Sequence, residues 1–168
     1  QASSEQLEKI LSYIDIGNVT TTTNKGDCLY VATWNGYGSH IRYHDSICSK
    51  VGRNGVSVVG GQYIEVDHNT FTDMAMVGWD MEPNDPSQGA FDVSIHDNVM
   101  AGKAIQMLGL GGNGPIARIS VTNNRSTTPW GLYTYGWTPG PRRSQITFAN
   151  NVATAGDVDH GTGASLFF

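Results

Sequence analysis

Short runs of alternating apolar and polar positions recur along the chain, each closing on an asparagine or another small turn-forming residue. Ile64-Glu65-Val66-Asp67-His68-Asn69 sets the pattern, following Tyr63 and leading into Thr70-Phe71. Val93-Ser94-Ile95-His96-Asp97-Asn98, Ile119-Ser120-Val121-Thr122-Asn123-Asn124 and Ile146-Thr147-Phe148-Ala149-Asn150-Asn151 repeat it, and Ile41-Arg42-Tyr43-His44-Asp45-Ser46 is a copy that ends on serine. A period of two is the signature of a strand with one buried face. The closing residues Ser46, Asn69, Asn98, Asn124 and Asn151 are separated by 23, 29, 26 and 27 residues. Self-similarity at such a period predicts a solenoid with one coil per repeat.

Each repeat contains a second strand pattern: Gly55-Val56-Ser57-Val58, Gly78-Trp79-Asp80-Met81, Ala104-Ile105-Gln106-Met107 and Gly131-Leu132-Tyr133-Thr134, with Ala164-Ser165-Leu166-Phe167 a looser last member. Two or three short strands and turns per period build a parallel β-helix, every strand pairing with its counterpart one coil away. The leucine and asparagine consensus of a leucine-rich repeat is absent. Before the repeats, Leu7, Ile10, Leu11 and Ile14 follow helical spacing behind Ser4, a good N-cap. A short helix over Glu5 to Ile14 is expected to cover the open end of the coils. Residues 1–27 therefore read as an N-terminal cap and linker, and residues 28–168 as the β-helix domain.

If Ile64 and Val66 point inward, Glu65 and Asp67 point out, and equal positions in successive coils form columns about 4.8 Å apart. One column is Arg42, Glu65, Ser94, Ser120 and Thr147; the next is His44, Asp67, His96, Thr122 and Ala149. His44, Asp67 and His96 are ligand types for a transition metal, but no further ligand is evident, so a surface ladder with an Arg42–Glu65 pair is expected and no metal is assigned. The asparagines are expected to stack inward, each amide bonding to its neighbour and to turn carbonyls. That role buries Asn124 and blocks glycosylation at its sequon.

In the second strand set, inward Trp79 and Met81 leave Asp80 and Glu82 facing out. The expected neighbours of Asp80 are Ser57, Gln106, Tyr133 and Ser165; those of Glu82 are Val59, Leu108, Tyr135 and Phe167. Carboxylates two residues apart on a strand are separated by about 6.6 Å along the backbone, near the lower end of the roughly 6.5–9.5 Å spacing of inverting glycosidases. Tyr133 and Tyr135, with Trp130 and Trp137 in adjoining loops, offer flat faces on which sugar rings stack. Asp80 and Glu82 are thus the candidate catalytic pair, and Gln106, Tyr133, Tyr135, Trp130 and Trp137 the candidate substrate-binding residues.

Composition narrows the remaining classes. With 168 residues, 21 glycines and only 15% charged residues, the chain suits one turn-rich β domain. A net charge of −5 disfavours nucleic acid, and no apolar run reaches the roughly 18–20 residues of a membrane span. No phosphate-binding loop or nucleophile elbow occurs, and no cofactor is implied. Cys28 and Cys48 are the only cysteines, and either a disulfide or a reduced pair is compatible with the sequence. Gln1 in place of methionine is expected of a processed or excised chain.

The apolar-x-apolar-x-x-Asn repeat, with Arg53-Asn54-Gly55-Val56 and Gly78-Trp79-Asp80-Met81-Glu82-Pro83-Asn84, resembles the right-handed parallel β-helix superfamily of pectate-lyase-like proteins from about Cys28 to the C-terminus. The resemblance implies an all-β, right-handed single-stranded parallel β-helix, here of five to six coils; the acid pair and its aromatic neighbours make a polysaccharide the expected partner. Val66-Asp67-His68-Asn69 is similar to the Asp-His segment of pectate lyases, but Thr138-Pro139-Gly140-Pro141-Arg142-Arg143 reads as a loop without that family's spaced arginines. Acid/base glycosidic cleavage by Asp80 and Glu82, in an extracellular, secreted or virion-surface protein, is the resulting expectation. The alternative is a structural or receptor-binding module of a phage tail protein, tailspike or surface adhesin. On that reading the apolar end Ala164-Ser165-Leu166-Phe167-Phe168 meets an adjoining β-helix domain or the other chains of a homotrimer.

Overall fold

The computed structural model describes residues 12–33, 36–104, 106–127, 132–134 and 143–153. The strands β1 (Ser12–Gly17), β2 (Thr20–Thr22) and β3 (Leu29–Val31) are followed by β4 (Gly38–His44), β5 (Ile47–Val51) and β6 (Val56–Val58). A third group is β7 (Gly61–Asp67), β8 (Thr70–Met74) and β9 (Val77–Met81), and a fourth is β10 (Ala90–His96), β11 (Val99–Ala101) and β12 (Gln106–Leu110). The stack continues through β13 (Ile116–Thr122), β14 (Arg125–Ser126), β15 (Leu132–Thr134), β16 (Arg143–Ala149) and β17 (Val152–Ala153). Every pairing is parallel, and the first, second and third strands of successive groups form sheets of six, six and five strands. The chain is an all-β parallel solenoid of about four turns, which supports the fold class read from the repeats. The expected count of five to six coils is not reached among the described residues.

The helix expected over Glu5 to Ile14 is not present at Ser12 to Ile14, which belong to a strand. Ile14 and Ile16 alternate with exposed Tyr13 and Asp15 in β1, and Ile14 pairs with Ile41. The last part of the helical spacing thus overlaps a period of two, and pairing with a formed sheet outweighs local spacing. Leu7, Ile10 and Leu11 lie outside the described residues. Among the described residues the first sheet starts at Ser12.

The asparagine ladder runs as expected. Asn69 Oδ1 accepts from the Ser46 amide at 2.9 Å, Asn98 Oδ1 from the Asn69 amide at 2.9 Å, Asn124 Oδ1 from the Asn98 amide at 3.0 Å and Asn151 Oδ1 from the Asn124 amide at 2.9 Å. Their Nδ2 groups donate to Tyr43, Val66, Ile95 and Val121 carbonyls, so groups that the turn removes from the sheets stay paired. The residue before each rung, from Asp45 and His68 to Asp97, Asn123 and Asn150, has φ between 47° and 57°. Asp, Asn and His tolerate this left-handed turn better than most side chains.

A second left-handed column runs through the long strands at Tyr13, His40, Tyr63, Asp92, Arg118 and Gln145, with φ between 51° and 62°. Each of these residues falls between paired positions, as between Ser39↔Gln62 and Ile41↔Ile64. Their stacked side chains offset part of the backbone strain. The Tyr13 and His40 rings stack at 4.6 Å, His40 and Tyr63 lie 4.9 Å apart, and Arg118 grips Asp92 with two hydrogen bonds of 2.7 and 2.8 Å.

Inside the coils, Tyr43, Ile64, Val66, Phe71, Trp79, Met81, Ile95, Met100 and Leu108 form one continuous core, with Phe71 edge-on to Trp79 at 5.8 Å. Cys28 and Cys48 are joined as a disulfide that ties the entry of β3 to β5. Among the described residues, no helix is long and apolar enough to cross a membrane.

Candidate functional site

The third sheet positions the carboxyl pair. Val56, Trp79 and Leu108 stack as one inward column, and Val58, Met81 and Leu110 as another. Between them lies the register column Tyr30, Ser57, Asp80, Gly109 and Tyr133. Ser57 and Tyr133 occupy the rows expected of them, whereas Gln106 does not: it pairs with Val77, and Gly109 stands beside Asp80. Matching Ala104-Ile105-Gln106-Met107 to Gly78-Trp79-Asp80-Met81 was therefore out of register. The spacing from the asparagine ladder matches this alignment over three coils, where Val56, Trp79 and Leu108 each stand ten residues after Ser46, Asn69 and Asn98, but not in the next, where Leu132 stands eight after Asn124. Trp130, Tyr135, Trp137, Ser165 and Phe167 lie outside the described residues.

Asp80 faces away from the core, yet only 5% of its surface is exposed. Gly109 leaves room beside it: a Cβ on Gly109 would stand 2.7 Å from Asp80 Oδ1. From the preceding coil, the buried Asn54 amide donates 3.0 Å hydrogen bonds to Asp80 Oδ2 and to Ser57 Oγ. Glu82 is hydrogen-bonded to Asp80 on the other side. The two carboxyl groups thus interact directly, although their backbone positions are two residues apart.

Burial pushes the Asp80 carboxyl up to about 7, helped by the charge of Glu82 and their mutual hydrogen bond; Arg53 and Asn54 act in the opposite direction. Two close carboxyls in a dry setting share a proton because ionising both is unfavourable. The Arg53 guanidinium bridges the rim, 3.9 Å from Glu82 and 3.8 Å from Asp27. Asp27 Oδ1 accepts from the Asn54 amide at 2.9 Å and Asn54 Oδ1 accepts from the Val77 amide at 3.1 Å, a second polar ladder at the entry to the third sheet. Arg53 and Asn54 were not assigned to the site from sequence. The signal was present in Asp27 and Asn54, acid and amide one coil apart at equivalent turns.

The first sheet presents a different charged cluster. Both outward columns have the expected register. Donor atoms of Glu65, Asp67 and His96 come within 4.8 Å of one another and are the described residues suited to hold a metal ion. Arg42 already supplies a cation there, donating to both Asp67 oxygens at 2.9 and 2.6 Å and lying 3.6 Å from Glu65. Asp67 is buried, which raises its pKa, but the hydrogen bonds from Arg42 and His68 outweigh this and hold the carboxyl below its ordinary value. His44 turns to Asp15 and Asp45, each at 2.7 Å, and not to Asp67. Arg143, read from sequence as part of a loop, opens β16, where its guanidinium donates to the Leu110, Gly111 and Gly112 carbonyls.

Comparison with protein-family models finds no match, and comparisons with curated proteins and with solved structures find none either.

Proposed function

We propose that this solenoid acts on a polysaccharide and cleaves its glycosidic bonds with the Asp80–Glu82 pair. The observation that carries this reading is a carboxyl 5% exposed and raised to about 7, held against a second carboxyl on the outer face of a sheet. Strongly shifted acids of this kind concentrate where proton transfer is needed. Asp80 delivers its proton to the glycosidic oxygen as the bond to the anomeric carbon breaks. Water adds to that carbon and loses a proton to Glu82, which returns it to Asp80 through their hydrogen bond. Glu82, with a quarter of its side chain exposed, is the member that meets the water.

The register column supports a linear substrate, because Tyr30, Ser57, Asp80, Gly109 and Tyr133 run parallel to the solenoid axis and Tyr30 is 49% exposed. The disulfide suits a secreted or virion-surface protein that matures in an oxidising compartment. Cellohexaose, chitohexaose and hexagalacturonate, representing neutral, amino and acidic sugars, are the test substrates, with product sizes followed by chromatography. Cleavage of one of them that Asp80→Asn and Glu82→Gln each reduce a hundredfold or more is expected. No cleavage and no binding of any of the three removes the proposal.

A second reading, a non-catalytic module of a tail protein or adhesin, is favoured by the apolar cavity of about 140 Å³ among Ile14, Ile16, Leu29, Val31 and Ile41 at the first turn. An adjoining domain or the chains of a homotrimer would bury such an apolar cavity. A trimer by analytical ultracentrifugation, together with intact glycans, would establish that reading instead.

A further inference from the structure

Gln106 is 7% exposed, and its Nε2 donor has no hydrogen-bond partner among the described residues. Buried amide donors are nearly always paired, since water lost from an N–H must be replaced by another acceptor. The position of this donor gives the exception meaning. Gln106 stacks in register on Val77, and in-register parallel strands point paired side chains the same way. Val77 is buried but stands apart from the interior cluster that holds Trp79 and Met81. Its Cγ2 lies 3.8 Å from the place of a Gly109 Cβ, the same place that Asp80 Oδ1 approaches to 2.7 Å. The Val77 amide is bound by Asn54, whose own amide holds Asp80. Gln106 therefore lies on the face of the sheet that carries the carboxyl pair, three residues before Gly109, the register partner of Asp80.

We infer that the Gln106 amide is the substrate-orienting donor of this site, held without a partner among the described residues so that an oxygen of the bound sugar completes it. The inference rests on the polysaccharide reading and adds to it a specificity-determining residue. A neutral N–H donor matches a hydroxyl or ring oxygen, and a sugar lacking that oxygen leaves the donor unpaired in the complex, which is how buried donors discriminate between close analogues. It also explains why the chain retains a polar side chain where Val77 in the preceding coil is apolar.

The test is Gln106→Met, which keeps the length of the side chain and removes the donor. Its thermal midpoint is measured without ligand. Its affinity for cellohexaose, chitohexaose and hexagalacturonate is measured by calorimetry in the Asp80→Asn background, where the glycan is not consumed. An unchanged or higher midpoint with affinity weakened about tenfold or more is expected, because the free protein loses only an unpaired donor while the complex loses a hydrogen bond. A lower midpoint, whatever the affinity, makes Gln106 a structural residue and overturns the inference. Equal affinity of the two forms overturns it as well and leaves the polysaccharide reading standing. If none of the three glycans binds the Asp80→Asn form or is cleaved by the unmodified protein, both fall together.

Discussion

Asp80 and Gly109 lie side by side in the third sheet, and the Asp80 carboxyl takes up the space that a side chain on Gly109 would need, with Oδ1 2.7 Å from that Cβ position. An acid on the outside of a sheet is thereby buried by the absence of a neighbour's side chain. Gly109→Ala is expected to push the carboxyl toward solvent and bring its pKa down from about 7 toward the ordinary aspartate value. It is also expected to destabilise the fold by about 1–3 kcal/mol through overpacking. Carbon-13 titration of the aspartate carboxyls in both forms measures the shift directly.

Stability should fall as pH rises past Asp80. Its folded pKa of about 7 lies above the unfolded value near 3.8, so between these the folded chain binds the extra proton. The resulting loss begins near pH 4, is complete above about 7 and amounts to a few kcal/mol. Asp80→Asn removes this dependence, and its thermal midpoint at pH 8.5 should exceed that of the parent protein. Turnover that requires protonated Asp80 should decline over the upper part of the same range.

His44 and His96 add a dependence of the same sign. Hydrogen bonds donated to Asp45 and then Asp15 raise His44, while His96 is lowered by burial but raised more by Asp97 and Glu65. Their contribution is fully present below the unfolded histidine value of about 6.5 and is lost as pH rises through the higher folded values. Nitrogen-15 spectra of the imidazoles should show both titrating late. His96→Gln should flatten the fall in thermal midpoint between pH 6 and 8.

Asn98 is the rung whose loss should be felt most widely. Its Oδ1 accepts from the Asn69 amide and its Nδ2 donates to the Val66 carbonyl and to Asn124 Oδ1, all buried. Asn98→Ala leaves these groups without partners and should cost roughly 3 kcal/mol or more in urea unfolding. Asn98→Asp should recover only the Oδ1 contact, leaving the Val66 carbonyl facing a carboxylate.

Reduction of Cys28–Cys48 should lower stability by roughly 3 kcal/mol, the effect of releasing a loop of this size in the unfolded chain. Denaturation with and without dithiothreitol measures it. The Cys28→Ser/Cys48→Ser double variant should match the reduced protein.

The repeat was legible in the sequence because an alternating strand and its closing asparagine are local features, and each copy reinforces the others. Residues such as Ile64, Val66 and Asn69 could be assigned an inward place before any coordinates. Gln106 shows the limit. Apolar-polar alternation admits more than one register for β12, and pairing with β9 in the folded sheet separates them. Ile14 shows another, since four spaced apolar residues satisfy a helix and the last of them also satisfies a strand.

The sequence by itself determined that the chain winds into parallel coils, because burial of every second residue and amide stacking at each turn leave few other ways to satisfy it. It also singled out Asp80 and Glu82 as outward acids. Tertiary structure decided what those acids are. Their contact, the enclosure of Asp80 beside Gly109, and the approach of Arg53 and Asn54 from the preceding coil all arise between residues remote along the chain. The same holds for Arg42, whose choice of Asp67 as well as Glu65 makes a charged cluster self-compensating. Desolvation and charge coupling depend on what surrounds a group in space, so the pattern along the chain locates an acid but does not set where it titrates.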